Sequence, residues 1–241
     1  MKVMKMRYCQ LIKSAEKIMF AENRSLPIPM PGYFARRSAS AKTGLHLLMA
    51  SITSMFLLFF ISYILRSQVS DWQALSEPWQ PLGQTSQLWL NSAFLLVASI
   101  ALECVRRELR KPELGNSREF LWLAGFATSG FLIGQLTFWN YLTSRGYYAT
   151  SNPANAFFYL LTGLHGLHLM GGMVAWLIAN TRLQRERREP SEKGLCLATL
   201  SVELCALYWH FLLLVWVLLF ALLSSSPGTY AAIAKFCGFG G

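Results

Sequence analysis

All four histidines of the chain, His46, His165, His168 and His210, fall inside long apolar runs, and one acidic residue, Glu203, lies deep in such a run. Ionisable side chains are costly in such surroundings; where they occur they pair with one another, hold a cofactor or carry protons. Thr162, His165, His168 and Gly172 recur at helical spacing and share one face. Glu203 and His210 also share a face, but seven residues of helix separate them by about 10.5 Å along the axis. Each therefore needs a partner on a different helix.

Three chemistries fit this set. The first is an interhelical polar brace of Thr162, His165, His168, Glu203 and His210, with neutral histidines hydrogen-bonded to the glutamate, each bond contributing about 1 kcal/mol in hydrocarbon. The second is a haem or metal site, since histidine is a common axial ligand. His165 and His168 are a poor haem pair, because two rings on one side of one helix do not oppose each other. The third is a proton or ion pathway. Here the supply of carboxylates is thin, because Glu103 and Glu119 lie near the ends of their runs and only Glu203 lies deep.

The elements that must position these groups are membrane helices. The chain of 241 residues is 54% hydrophobic and 14% charged, against about 25% charged in an ordinary soluble domain. A bilayer core of about 30 Å takes about 20 apolar residues in helix. Five runs qualify, at roughly Gly44–Leu65, Leu88–Val105, Phe120–Leu142, Ala154–Ile178 and Leu195–Leu223. The period is helical and no alternating segments occur, so the fold class is all-α with five transmembrane helices, not a β-barrel. Residues 1–42 form a basic, proline-containing arm, 43–223 the membrane domain and 224–241 a short tail.

The net charge of +10 would suit nucleic acid in a soluble protein. Its distribution points to topology instead. Of 22 Lys and Arg, 19 lie in the arm, after the second run and after the fourth; Arg66, Arg145 and Lys235 are the others. The positive-inside rule then puts the arm in the cytoplasm and the carboxyl terminus outside. Nucleic acid is not expected as a partner. Cys9, Cys104, Cys196, Cys205 and Cys237 are dispersed and make no metal-ligand spacing.

Depth places the candidate groups relative to one another. Runs four and five are antiparallel and joined by a short basic loop. Counted from the cytoplasmic boundary, Glu203 lies at about 9 Å, His168 at about 15 Å, and His165 and His210 at about 20 Å. Pairing between the fourth-run histidines and Glu203 and His210 is therefore expected. Gly130 and Gly134 form a GxxxG stretch that admits another backbone. Asn152-Pro153 opens the fourth helix as cap and first-turn proline. Trp89, Trp139, Tyr141, Tyr147 and Tyr148 read as an interfacial belt. No nucleotide loop, HExxH or GxSxG is present.

The stretch Phe157-Phe158-Tyr159-Leu160-Leu161-Thr162-Gly163-Leu164-His165-Gly166-Leu167-His168 resembles the fourth span of five-helix subunit III of haem–copper terminal oxidases. Glu203, Tyr208-Trp209-His210-Phe211, Trp216 and Leu218-Leu219-Phe220 resemble that family's last span. Trp89-Leu90-Asn91-Ser92 is similar to its second, and Gln135 with Trp139 to its third. The resemblance covers about residues 43–223 and implies an accessory, non-catalytic subunit of a respiratory oxidase in a bacterial cytoplasmic membrane. It implies no catalytic, metal or cofactor site in this chain. Haem and copper would sit in partner subunits, with subunit I and subunit II as neighbours and bound phospholipid between them. Phe157, Phe158, Tyr159, Gly163, Gly166, Tyr208, Trp209 and Trp216 would be packing positions of the family motifs. Two carboxylates usual in the family are replaced, by Ile52 and Leu213, which removes groups linked to proton uptake. A nitric oxide reductase accessory subunit of the same fold, a b-type cytochrome using the histidines, and a small ion or solute carrier are the alternatives.

Overall fold

A computed structural model describes residues 31–69, 85–110, 115–188, 191–225 and 227–236. Among them are six helices: α1 (Pro31–Arg66), α2 (Thr85–Glu108), α3 (Ser117–Ser144), α4 (Pro153–Arg188), α5 (Glu192–Ser224) and α6 (Pro227–Phe236). Five, α1 to α5, are long and apolar enough to cross a membrane, and all the described regular structure is helical. Most of the arm 1–42, with Cys9, lies outside the described residues, as does Cys237.

The helices outrun the hydropathy-based boundaries. α1 starts at Pro31, inside the segment read as a basic, proline-containing arm, because proline at a first helical position already has the required φ and lacks only an N–H that the helix does not use. α4 continues to Arg188 through a polar tail rich in arginine, which favours helix as much as leucine does. Its start is as expected: the Asn152 side-chain oxygen accepts the Ala154 N–H at 3.2 Å. α3 ends where Gly146 takes φ of +83°. The Gly146 N–H reaches Thr143 O at 3.0 Å and the Tyr147 N–H reaches Leu142 O at 3.1 Å, a Schellman closure that uses the last carbonyls.

Helices α2, α3, α4 and α5 close a ring in which each packs on its neighbours in chain order and α5 returns to α2; α1 lies outside it against α4, α5 and α6. Phe131, Trp209 and Trp216 fill the middle, with at most 2% of their surface exposed. The polar ends of α3 and α4 meet on one side, where the Arg187 guanidinium donates to Gly115 O and Ser117 Oγ, both at 2.9 Å. Across the α4–α5 junction the Glu186 carboxylate accepts the Ser191 N–H at 3.0 Å. Of the aromatic residues assigned to a belt, Trp89 and Tyr148 are exposed, whereas Trp139, Tyr141 and Tyr147 pack on the core.

α6 was not foreseen. It folds back so that Tyr230 Oη donates to Leu222 O at 2.7 Å and lies 3.4 Å from Tyr63 Oη on α1. Burial raises the Tyr230 phenol above its ordinary value, and the hydrogen bond to Tyr63 partly opposes that rise. Docking favours the neutral phenol, so its contribution is full below the ordinary value of about 10 and is lost as pH rises through the raised one. A spin label at the exposed Ala232 is expected to stay immobile through neutral pH and to become mobile above about pH 10. A label equally immobile across that range counts against the linkage.

Candidate functional site

Indole N–H groups set the register of the bundle. Trp139 on α3 donates to Thr162 Oγ1 at 3.3 Å, and Trp176 on α4 donates to Leu121 O at 2.9 Å. From α5, Trp209 donates to Thr128 Oγ1 at 3.1 Å and Trp216 to Ser92 Oγ at 2.9 Å. Each bond ties a different stretch of helix to its neighbour. In a bilayer, where apolar burial gains little, such bonds and close packing carry helix association.

Small residues make room for these rings. Gly130 and Gly134 both face α2, as the GxxxG reading requires of a helix contact: a Cβ at Gly130 would meet Phe94 at 3.3 Å, and one at Gly134 would run into the Asn91 side chain. Two further close approaches lie outside the GxxxG stretch. Gly125 lies under the Trp176 indole, and Gly172 lies 3.0 Å, by its would-be Cβ, from Trp209. Gly163 abuts Trp139 at 3.3 Å, while Gly166 has open space around it. Phe157 packs edge-on to Tyr63, Phe158 to Phe138, and Tyr159 to Trp139. Tyr159 Oη also donates to Tyr147 O at 2.9 Å, closing the α3–α4 turn.

Thr162, His168 and His210 of the expected polar brace find partners outside it. Thr162 is buried and its hydroxyl donates to Phe158 O at 2.7 Å while receiving Trp139. His168 Nδ1 turns onto Leu164 O of its own helix at 2.7 Å, its ring lies against Phe56 of α1, and its carbonyl accepts Tyr208 Oη at 3.2 Å. His165 is fully buried between Phe131 and Trp216, with ring centroids 5.9 and 5.3 Å away. His46 Nδ1 likewise bonds Lys42 O at 2.7 Å on exposed α1. Glu203 is half-buried on α5.

His210 differs from the pairing that depth suggested. Its Nδ1 is hydrogen-bonded to Ser99 Oγ, and its Nε2 lies 3.6 Å from the Glu103 carboxylate, both on α2. Glu103 in turn accepts from Arg106 at 3.0 Å and Arg107 at 3.1 Å. The physical reason is twofold: contact with Glu103 near the end of the second run puts His210 nearer the boundary than the depth count did, and this face of α5 meets α2 rather than α4. Glu103, set aside in the sequence as an end-of-span acid, is the missing partner. Because His210 is 41% exposed and Glu103 20%, Glu103→Gln is expected to cost no more than about 1 kcal/mol. A melting shift as large as that of a core truncation is the result that contradicts this.

The positions of the two absent family carboxylates are apolar and packed: Ile52 is buried and Leu213 is half-buried against the core. Among the described residues, no three His, Cys, Asp or Glu side chains are grouped to hold a metal ion.

Comparison with known proteins places this arrangement. The family model described as "Cytochrome c oxidase subunit III" matches residues 33–225, from the first turns of α1 to the end of α5. "Cytochrome c oxidase subunit 3" of Thermostichus vulcanus is 28% identical over 183 residues, 75% of this chain and 84% of that protein. The protein of the same name from Synechocystis sp. is 27% identical over 184 residues, 74% of this chain and 72% of its own length. "Probable cytochrome c oxidase subunit 3" of Mycobacterium tuberculosis is 36% identical over 96 residues, 39% of this chain and 43% of the relative. With five membrane-length helices and a family match over all of them, the chain belongs to the cytochrome c oxidase subunit III family and is a multi-pass membrane protein that works in a complex with other oxidase subunits.

Proposed function

We propose that the chain is the non-catalytic third subunit of a respiratory haem–copper oxidase in a bacterial cytoplasmic membrane, with its amino terminus in the cytoplasm. It packs against the catalytic subunit I beside subunit II, holds phospholipid at that contact, and stabilises an enzyme that reduces oxygen and pumps protons with chemistry in other chains. The observation that carries this reading is the family match over residues 33–225. The side-chain chemistry agrees with it. His46 and His168 bond carbonyls of their own helices, His210 bonds Ser99, and His165 is wedged between two aromatic rings. Three of the four thus engage a protein partner through a ring nitrogen, which leaves His165 without the opposed second ring that a bis-histidine haem needs and favours the accessory subunit over the b-type cytochrome. With Ile52 and Leu213 in place of carboxylates, the contribution to turnover is that of a rigid apolar wedge.

The test is purification of the tagged chain from native membranes in mild detergent, with its partners identified. Reduced-minus-oxidised spectra are recorded before and after dissociation. Haem and copper are expected to leave with a large partner, and the bare chain to be colourless. A haem band that stays with the bare chain, or a chain that purifies alone, overturns the proposal.

A further inference from the structure

His165 and Gln135 leave the largest polar deficit of the described interior. Both ring nitrogens of His165 and both amide atoms of Gln135 are buried without a hydrogen-bond partner, as is Asn91 Nδ2. His165 is 0% and Gln135 4% exposed. Leaving such groups unpaired is costly, and no bulk water reaches the middle of a membrane bundle to offset it.

The helix register brings these groups to one place. α3 and α4 run antiparallel, with Phe131 beside His165 and Trp139 bonded to Thr162. Gln135 lies one turn from buried Phe131, is itself buried, and falls midway to half-buried Trp139, so it stands opposite the turn from Thr162 to His165. From the other side, the Asn91 side chain reaches α3 at Gly134, next to Gln135. Trp216 completes the wall, 4.8 Å from Phe131 and 5.3 Å from His165 by ring centroids.

The donor and acceptor inventory selects the occupant. A neutral imidazole offers one N–H and one bare nitrogen, and the glutamine amide offers both kinds of group as well. An anion would leave the acceptors unpaired and a cation the donors. Water donates twice and accepts twice, and buried waters typically make about three hydrogen bonds to groups of this kind. We propose that the bundle interior contains a water-binding site held by His165 and Gln135 between α3, α4 and α5. The rings of Phe131 and Trp216 bound it on the inner side of the bundle. The site is independent of the proposed function, since it rests on this chain's own side chains.

Radiolytic hydroxyl labelling of the intact purified complex in heavy-oxygen water tests it, because hydroxyl radicals formed at a trapped water oxidise the side chains around it. Trp216 and Trp209 are the paired probes: both are at most 2% exposed, but Trp209 packs against Gly172 and Thr128, away from the site. His165 and Trp216 are expected to take up label severalfold faster than Trp209. Gln135→Leu is expected to bring Trp216 down to the Trp209 rate, and His165→Phe to do the same. Equal, slow labelling of Trp216 and Trp209 in the unmodified complex means a dry interior and overturns the site, whether or not either variant assembles.

Discussion

Gly125→Val is expected to destabilise the bundle by about 1–3 kcal/mol, the usual cost of forcing extra volume into a filled core. A Cβ at Gly125 would place Cε2 and Cη2 of Trp176 at 2.8 Å, with a third ring atom nearer still. Trp176 has no room to retreat. Its Nε1–H is held by Leu121 O at 2.9 Å, and its ring lies edge-on to Trp122 with centroids 5.7 Å apart. Moving the indole would break a buried hydrogen bond; moving the backbone would prise α3 from α4. Melting of the detergent-solubilised protein, followed by fluorescence-detected size exclusion, measures the loss. Gly166→Ala is the control, because that position has nothing within 4 Å, and alanine favours helix over glycine by about 1 kcal/mol. Equal melting temperatures for the two variants would mean that the close approach at Gly125 has no energetic consequence.

Trp209→Ala is expected to be costlier, about 3–5 kcal/mol, as for other large-to-alanine changes in packed interiors. Trp209 is fully buried, fits against Gly172, and links α5 to α3 through Thr128. Its removal deletes dispersion contacts that lipid cannot replace at that point, and so opens a cavity rather than exposing a surface. Thr128→Val separates the hydrogen bond from the volume. The Thr128 hydroxyl also donates to Ala124 O at 2.8 Å, so the valine variant loses that local bond and strands the indole N–H, for about 1–3 kcal/mol. The expected order of melting temperatures is unmodified chain, then Thr128→Val, then Trp209→Ala. A Trp209→Ala protein as stable as one truncated at exposed Trp89 would contradict the assignment of Trp209 to the core.

Hydropathy made the five crossings and the helical fold class legible, because desolvating a polar backbone is the strongest constraint in a bilayer. It was blind to α6 and to the helical extensions at Pro31–Thr43 and Ala179–Arg188, where helix persists through residues no membrane selects. Asn152 and Pro153 announced the start of α4 because capping is a local, two-residue affair. The partner of His210 was not legible, since periodicity reports which face a residue occupies but not which helix lies opposite. Glu103 could have been found by asking where the Ser99–Glu103 face of α2 points, as Ser99 is four residues away and polar on that face. Gly125 and Gly172 were harder still. Their importance comes from Trp176 and Trp209, which lie far off in the chain and meet them only after the helices are paired.

The position of α1 outside the four-helix ring has a consequence for how the chain is made. α1 is synthesised before α2 to α6, yet the residues it packs against belong to α4, α5 and α6, and its Tyr63 meets a tyrosine 167 residues later. During translation, then, α1 enters the bilayer without any of its lasting neighbours. The sequential pairs α2 with α3 and α4 with α5 can close as soon as each hairpin is complete. Assembly therefore runs against the order of synthesis at this one helix: α1 is inserted before the helices of the ring yet is among the last of the six to dock, and until then lipid must stand in for protein along its inner face.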